Sequence, residues 1–180
     1  MKNILILLIC LIACNAQTVN QKTKSILTKT AEYNLPINIS DMIGEIHMNE
    51  KSYNLTETEC INLKAFNEDW LNNKSYSYRS FCYFKLNNDL LGIIYNRSYY
   101  PIDILDEKSE YILSIINKND ELISSILVQG SYGDEQVFFG TINKNYEITI
   151  FNETTDEKGE IEVTKSKYVI KENGTIEKRE

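Results

Sequence analysis

The sequence is poor in the residues from which most catalytic sites are built. It carries one histidine, His47, in 180 residues. A hydrolytic triad needs that histidine beside a nucleophile and a carboxylate, and no Gly-x-Ser-x-Gly elbow occurs. The four cysteines are scattered, so no cluster offers a zinc ligand set. Seven glycines and two prolines are too few for linker or low-complexity material. Nineteen basic residues against 26 acidic ones leave a net charge of −7. Phosphate neutralisation needs clustered Lys and Arg, so this balance argues against nucleic acid. No apolar run approaches the roughly 20 residues that span a bilayer as a helix. The absences together point to a protein with no cofactor, no metal, no catalytic residue and no nucleic-acid partner, and hence to a non-enzyme.

What is present begins at the N-terminus. Met1-Lys2-Asn3 is a short positive start, and Ile4 to Ala13 carries no charge. That length suits the apolar region of a signal peptide. A cysteine ends it. Leu11-Ile12-Ala13-Cys14 resembles the bacterial lipobox, in which a leucine, a small or aliphatic residue and a small residue precede the cysteine. The resemblance implies that Cys14 gains a diacylglycerol thioether and becomes the acylated N-terminus. Each buried methylene contributes about 0.8 kcal/mol, so two or three acyl chains, palmitate among them, hold a protein to a bilayer stably. The other processing route is ordinary cleavage after Ala16, which gives a secreted or periplasmic protein.

Three segments follow from this reading. Residues 1–13 are the signal peptide, 14–32 the lipidated N-terminus and a polar tether, and 33–180 a single domain. The tether holds Lys22, Lys24 and Lys29 against Glu32, while Tyr33 to Glu180 has 15 basic and 25 acidic residues, or −10. A basic tether beside an anionic leaflet and an acidic body facing away are electrostatically compatible.

Leu35 to Ser40 alternates and reads as a short strand, as does Gly44 to Met48. Thr56-Glu57-Thr58-Glu59 is a capping box. Leu55 can staple onto Cys60, and Cys60, Leu63, Ala65, Phe66 and Trp70 recur at helical spacing, which predicts one helix at about 57–66 with Trp70 near its end. From Tyr76 the pattern is β. Tyr76, Tyr78, Cys82, Phe84 and Leu86 are expected on one face. Leu90 to Tyr95 is apolar on both faces, as in a central strand covered from both sides. Tyr146, Ile148 and Ile150 alternate with polar neighbours.

The turns repeat. "KLNNDLLGI" (85–93), "IINKNDELI" (115–123), "TINKNYEIT" (141–149) and "VIKENGTIE" (169–177) each set an Asn/Lys/Asp/Gly-rich tip between strand ends. Asn and Gly accept the positive φ of tight hairpins. Four hairpins predict a mainly β fold: an antiparallel meander of about eight strands, as a curved sheet or a small barrel, with the short helix on one face.

The run from Phe84 to Glu177 is similar to small uncharacterised lipoproteins of Bacteroidetes-type bacteria. "YYPIDILDEKSEYILSI", "GSYGDE" and "KYVIKENGTIE" carry the likeness. It implies location and fold class and no activity.

Two cysteines stay with the domain. An export compartment permits a bridge between Cys60 and Cys82, which would staple helix to sheet; the alternative is two separate buried thiols. Asp103, Asp106, Glu107 and Glu110 crowd one segment, and Asp134-Glu135 sit in a glycine turn; both read as solvated faces. "YNRSYYP" places Tyr95, Tyr99 and Tyr100 around Arg97. Tyr and Arg dominate protein interfaces, so this is the expected binding surface, with cross-strand aromatic packing as the plainer account. Six Asn-x-Ser/Thr triplets start at Asn38, Asn54, Asn73, Asn96, Asn152 and Asn173; they carry meaning only in a glycosylating host.

The functional expectation is a lipid-anchored protein of the bacterial envelope, in the outer membrane ahead of the inner. Its β domain binds another envelope or secreted protein, an immunity-type partner among the options. The alternative is a small-ligand carrier with a barrel cavity.

Overall fold

The hairpin tips are built from one device. The computed structural model describes residues 22–48, 53–65, 76–99, 108–133 and 135–179, with backbone alone for 22–25 and 44–48. Cys14, Phe66, Trp70, Tyr100, Asp103, Asp106, Glu107, Asp134 and the His47 side chain lie outside the described residues. Two short strands come first, β1 (Ala31–Glu32) and β2 (Ile37–Asn38). Then follow β3 (Tyr76–Lys85), β4 (Leu90–Tyr99), β5 (Lys108–Asn117) and β6 (Leu122–Tyr132). The last four are β7 (Gln136–Ile142), β8 (Glu147–Thr155), β9 (Ile161–Ile170) and β10 (Ile176–Arg179). From β3 to β10 each strand pairs antiparallel with the next.

At three tips an Asn or Asp starts the turn and its side chain caps it. Asn117 Oδ1 accepts from the Asn119 and Glu121 amides at 2.9 and 3.0 Å. Asn143 Oδ1 does the same for Asn145 and Glu147 at 2.9 and 3.0 Å. Asp156 Oδ1 accepts from Lys158 and Glu160 at 2.8 and 2.9 Å. Three residues on, the chain turns left-handed: Asp120, Tyr146 and Gly159 all have positive φ. This is the three-residue hairpin with a bulge residue in the αL region. Glycine takes that conformation freely, whereas Tyr146 needs compensation. It donates from Oη to the Leu86 carbonyl at 2.9 Å, and its ring packs on the core.

The sheet is open, with β1 and β10 at its ends, and it is strongly curled. Ile94, Leu113 and Ile115 from one half share a buried cluster with Ile142, Ile148, Ile150 and Ile170 from the other. Residues so far apart in strand order meet only if the sheet folds over on itself. The Ser124 hydroxyl, donating to the Gly174 carbonyl at 2.7 Å, joins β6 to the β9–β10 tip. Residues 31–38 strap the two halves: β1 runs parallel to β3, and β2 pairs antiparallel with β7. Among the described residues the strand path runs open from β1 to β10, a curled sheet rather than a closed barrel.

Helices cover what the curl leaves. α1 (Lys22–Lys29) inserts Ile26, and α3 (Glu57–Asn62) inserts Cys60, against Ile93, Tyr95, Ile112 and Ile116 on the outer face of β4 and β5. α2 (Ile39–Met48) sets Ile39, Met42 and Ile43 into the inner cluster. The capping box at Thr56 forms as the sequence predicts. The Glu59 amide donates to Thr56 Oγ1 at 3.3 Å, and the Thr56 amide donates back to Glu59 Oε2 at 2.8 Å.

Three expectations are corrected. The strand expected over 44–48 is helix, because Ile39, Met42 and Ile43 recur at helical spacing and Asn38 Oδ1 accepts from the Ser40 amide at 3.2 Å, turning the chain after β2. The segment read as tether is folded from Lys22 on: Ile26 is 2% exposed and Ala31-Glu32 pairs with Cys82-Tyr83. The face expected to hold Tyr76 through Leu86 is broken by a bulge between Ser80 and Cys82. Before it, Tyr78 faces outward to the helices; after it, Cys82 and Phe84 face into the curl. One extra residue in one strand reverses which face its later side chains meet.

Candidate functional site

Register alone places Arg97 beside Glu110, because β4 and β5 pair with no bulge between Leu90–Asn117 and Tyr99–Lys108. Arg97 Nε donates to Glu110 Oε2 at 2.5 Å, and a second guanidinium nitrogen reaches the Ala65 carbonyl at 3.3 Å. Tyr132 Oη donates to the other Glu110 oxygen at 2.5 Å. Both members of the ion pair are shielded from water. Arg97 thus ties the chain just after α3 to the centre of the sheet. A buried pair like this stabilises only when its remaining donors and acceptors find partners; the tyrosine serves the second Glu110 oxygen and the Ala65 carbonyl a further guanidinium N–H. Burial, then the bond to Glu110, pushes the Tyr132 hydroxyl well above its usual range.

This geometry revises the expected binding surface. Tyr95 is 2% exposed and packs among Ile93, Ile112 and Cys60; burial pushes its hydroxyl up to about 12. Arg97 is a strut. Tyr99 remains half-buried and stacks on Tyr76 with ring centroids 4.6 Å apart, which is the cross-strand packing that was the plainer account. Tyr100 lies outside the described residues. What the segment presents is a ledge of half-buried tyrosines, Tyr76, Tyr78, Tyr99 and Tyr132, around a neutralised ion pair. Lys108 adds a cation 5.9 Å from the Tyr132 ring.

Glu110 is the residue that sequence reasoning misplaced. Counted with an acidic run, it was read as part of a solvated face; it is 7% exposed. Aligning Leu90–Tyr99 antiparallel to Lys108–Asn117 would have set it opposite Arg97. Asn96 is equally informative. Its amide donates to Ser109 Oγ at 3.0 Å and the Glu110 carbonyl at 3.3 Å, so this triplet is closed to any glycan.

Of the two readings of Cys60 and Cys82, the structure holds the second: both are buried free thiols. The bulge in β3 is the reason. It turns Cys82 into the curl, whereas Cys60 packs under α3 on the opposite face of the sheet. Burial raises both, and Cys60 reaches about 12, with Glu59 and Glu57 adding to the rise. A buried thiol raised in this way is a poor nucleophile.

Two open clefts accompany the tips. One, of about 330 Å³, lies along the strap and is lined by Glu32, Tyr33, Leu35, Lys85, Lys144 and Tyr146. Lys85 is engaged there with Glu32 at 2.9 Å. Among the described residues no three His, Cys, Asp or Glu side chains converge as metal ligands, and no helix is long and apolar enough to cross a membrane. Comparison with protein-family models, with curated proteins and with solved structures returns no match to this chain.

Proposed function

We propose that the protein is a non-enzymatic lipoprotein of the bacterial envelope, held to the membrane through Cys14, whose β domain binds another envelope or secreted protein. The observation that carries the reading is the spacing at the N-terminus. The apolar run ends at Cys14, and the described part of the domain begins at Lys22. Seven residues separate them, which at full stretch span about 25 Å. A lipid on Cys14 would keep the acidic domain within that distance of a bilayer. The two carboxylates buried among the described residues support the non-enzymatic part, because both are committed to structural bonds: Glu110 to Arg97 and Tyr132, Glu59 to the α3 cap. The tyrosine ledge supports the binding part. Stacked, half-buried rings offer rigid amphipathic contact area at low entropic cost.

The test has two readouts. Mass spectrometry of the native N-terminus should find an acylated Cys14, and Cys14→Ser should move the protein out of the membrane fraction. An unmodified Gln17 at the terminus would overturn the anchor. Capture of a partner from solubilised envelope should weaken in Tyr76→Ala/Tyr99→Ala with the fold intact by circular dichroism; unchanged capture would remove the ledge from the reading.

A further inference from the structure

The far edge of the sheet is open. β10 pairs only with Lys167 to Ile170 of β9, and among the described residues no strand lies beyond Ile161 to Ser166. Their backbone order is readable. The Ile170 amide bonds back to Tyr146 on the β8 side at 3.0 Å. β8 and β9 pair without a shift from Thr155–Ile161 to Glu147–Val169. Backbone groups alternate sides along a strand, so the odd residues Ile161, Val163 and Lys165 turn their N–H and C=O groups to the open edge. Ile161 is 64% and Val163 55% exposed. A β-branched, apolar, unpaired edge invites another strand.

We propose that this edge pairs with the same edge of a second copy, antiparallel, about a two-fold axis through Val163. Three features of the strand select that occupant. In a two-fold antiparallel pair only residues with outward backbone groups can bond each other. The axis at Val163 sets Val163 against Val163 and Ile161 against Lys165, which satisfies every open group in one register. The charges agree. Residues 157–162 hold three glutamates and one lysine, and 164–168 hold two lysines, so antiparallel copies set the acidic end of one strand beside the basic end of the other. A parallel copy would set like against like. The apolar side chains also match. Val163 meets its own copy, and Ile161 covers the stem of Lys165, whose ammonium sits 5.1 Å from the Phe151 ring. A contact of this length is far below the area of a stable dimer, so the association is weak and reversible. It goes beyond the proposed partner binding and does not depend on it, since the ledge lies on β3 to β6.

The test uses the full chain in membranes or mild detergent. Directly opposed residues in a bonded antiparallel pair have Cα atoms about 5.5 Å apart, within reach of a disulfide. Val163→Cys should therefore give an oxidised dimer several-fold above wild type. Lys165→Cys, displaced from its own copy by roughly 13 Å along the strand, and Glu153→Cys on β8 should stay at the wild-type level. In sedimentation at about 0.15 M salt, where distant charges are screened, the wild type should show concentration-dependent dimerisation and Val163→Lys none. No dimer above background for Val163→Cys, equal cross-linking by Lys165→Cys, or a persisting Val163→Lys dimer would each overturn the proposal. So would edge amides at Ile161, Val163 and Lys165 that become protected only in whole envelope, which would place a strand of another protein there. Failure here leaves Cys14 acylation and partner capture standing, because those are read on other variants.

Discussion

The two edges of this sheet are treated in opposite ways. At β3 the edge is covered twice: Ala31-Glu32 pairs with Cys82-Tyr83, and Tyr53 to Leu55 follow alongside, with the Leu55 amide on the Tyr78 carbonyl at 2.9 Å and the Ser80 amide on the Tyr53 carbonyl at 2.9 Å. At β9 nothing described covers Ile161 to Ser166. The interiors differ in the same sense. β4 and β5 are buried on both faces, by the curl inside and by α1 and α3 outside, while the outer halves of β8 and β9 are half-buried or exposed. Length and pairing are alike in the two regions. What separates them is what lies on top, and stability should follow coverage.

The strongest test of that difference removes Arg97. Arg97→Ala leaves Glu110 buried with Tyr132 alone, and breaking such a pair costs about 3–5 kcal/mol. Urea denaturation should show it, and a loss under about 1 kcal/mol would mean that water reaches the pair. Next comes the matched substitution in each region. Leu113→Ala opens a cavity at a fully buried site and should cost about 2–5 kcal/mol. Val163→Ala removes an exposed side chain and should stay within about 0.5 kcal/mol in the monomer. Similar losses at both sites would break the comparison outright. Thr56→Ala is smaller again. It removes one half of the α3 capping box and should cost about 1 kcal/mol. A loss confined to the α1–α3 face, read as faster amide exchange at Cys60 and Leu63, would sharpen the point that this face is a separate layer.

Much of the meander was legible because hairpin tips write themselves in composition. Asn117, Asn143 and Gly174 sit where a tip requires a capping side chain or a positive φ, and the strands between them follow. The Thr56 capping box was legible for the same local reason. The bulge at Ser80–Cys82 was not, since nothing in the composition of "YSYRSFCYFK" marks an extra residue, and with it went the faces of Tyr78 and Cys82 and the idea of a bridge. α1 looked like a polar tether because six of its eight residues, KTKSILTK, are polar, which hides that Ile26 is buried. The site was legible as a cluster of tyrosines around Arg97. That Arg97 points to Glu110 rather than to a partner is a matter of cross-strand register, which a one-dimensional reading of charges passes over.

The smallest expected effect is on the acid side, and it again divides the two regions. Glu32 is held below the ordinary carboxylate value of 4.5 by the Lys85 ammonium and the Tyr83 hydroxyl. Glu147 is held below it by the Asn143 amide and the Arg179 guanidinium. A carboxylate whose folded value is depressed adds stability above its unfolded value, and that stability is lost as pH falls through the folded one. Acidification from pH 7 to below 4.5 should therefore lower the urea midpoint slightly, since both carboxylates face solvent and surface pairs contribute little. Glu32→Gln should remove the share belonging to the strap, and Glu147→Gln the share belonging to the β8–β10 half. The two groups have no partner in common, so the double variant should show the sum. A pH slope unchanged in both single variants would show that neither ion pair persists in solution. A sum that fails would mean that the strap and the far half, which meet through β2 and β7, respond to acid as one unit.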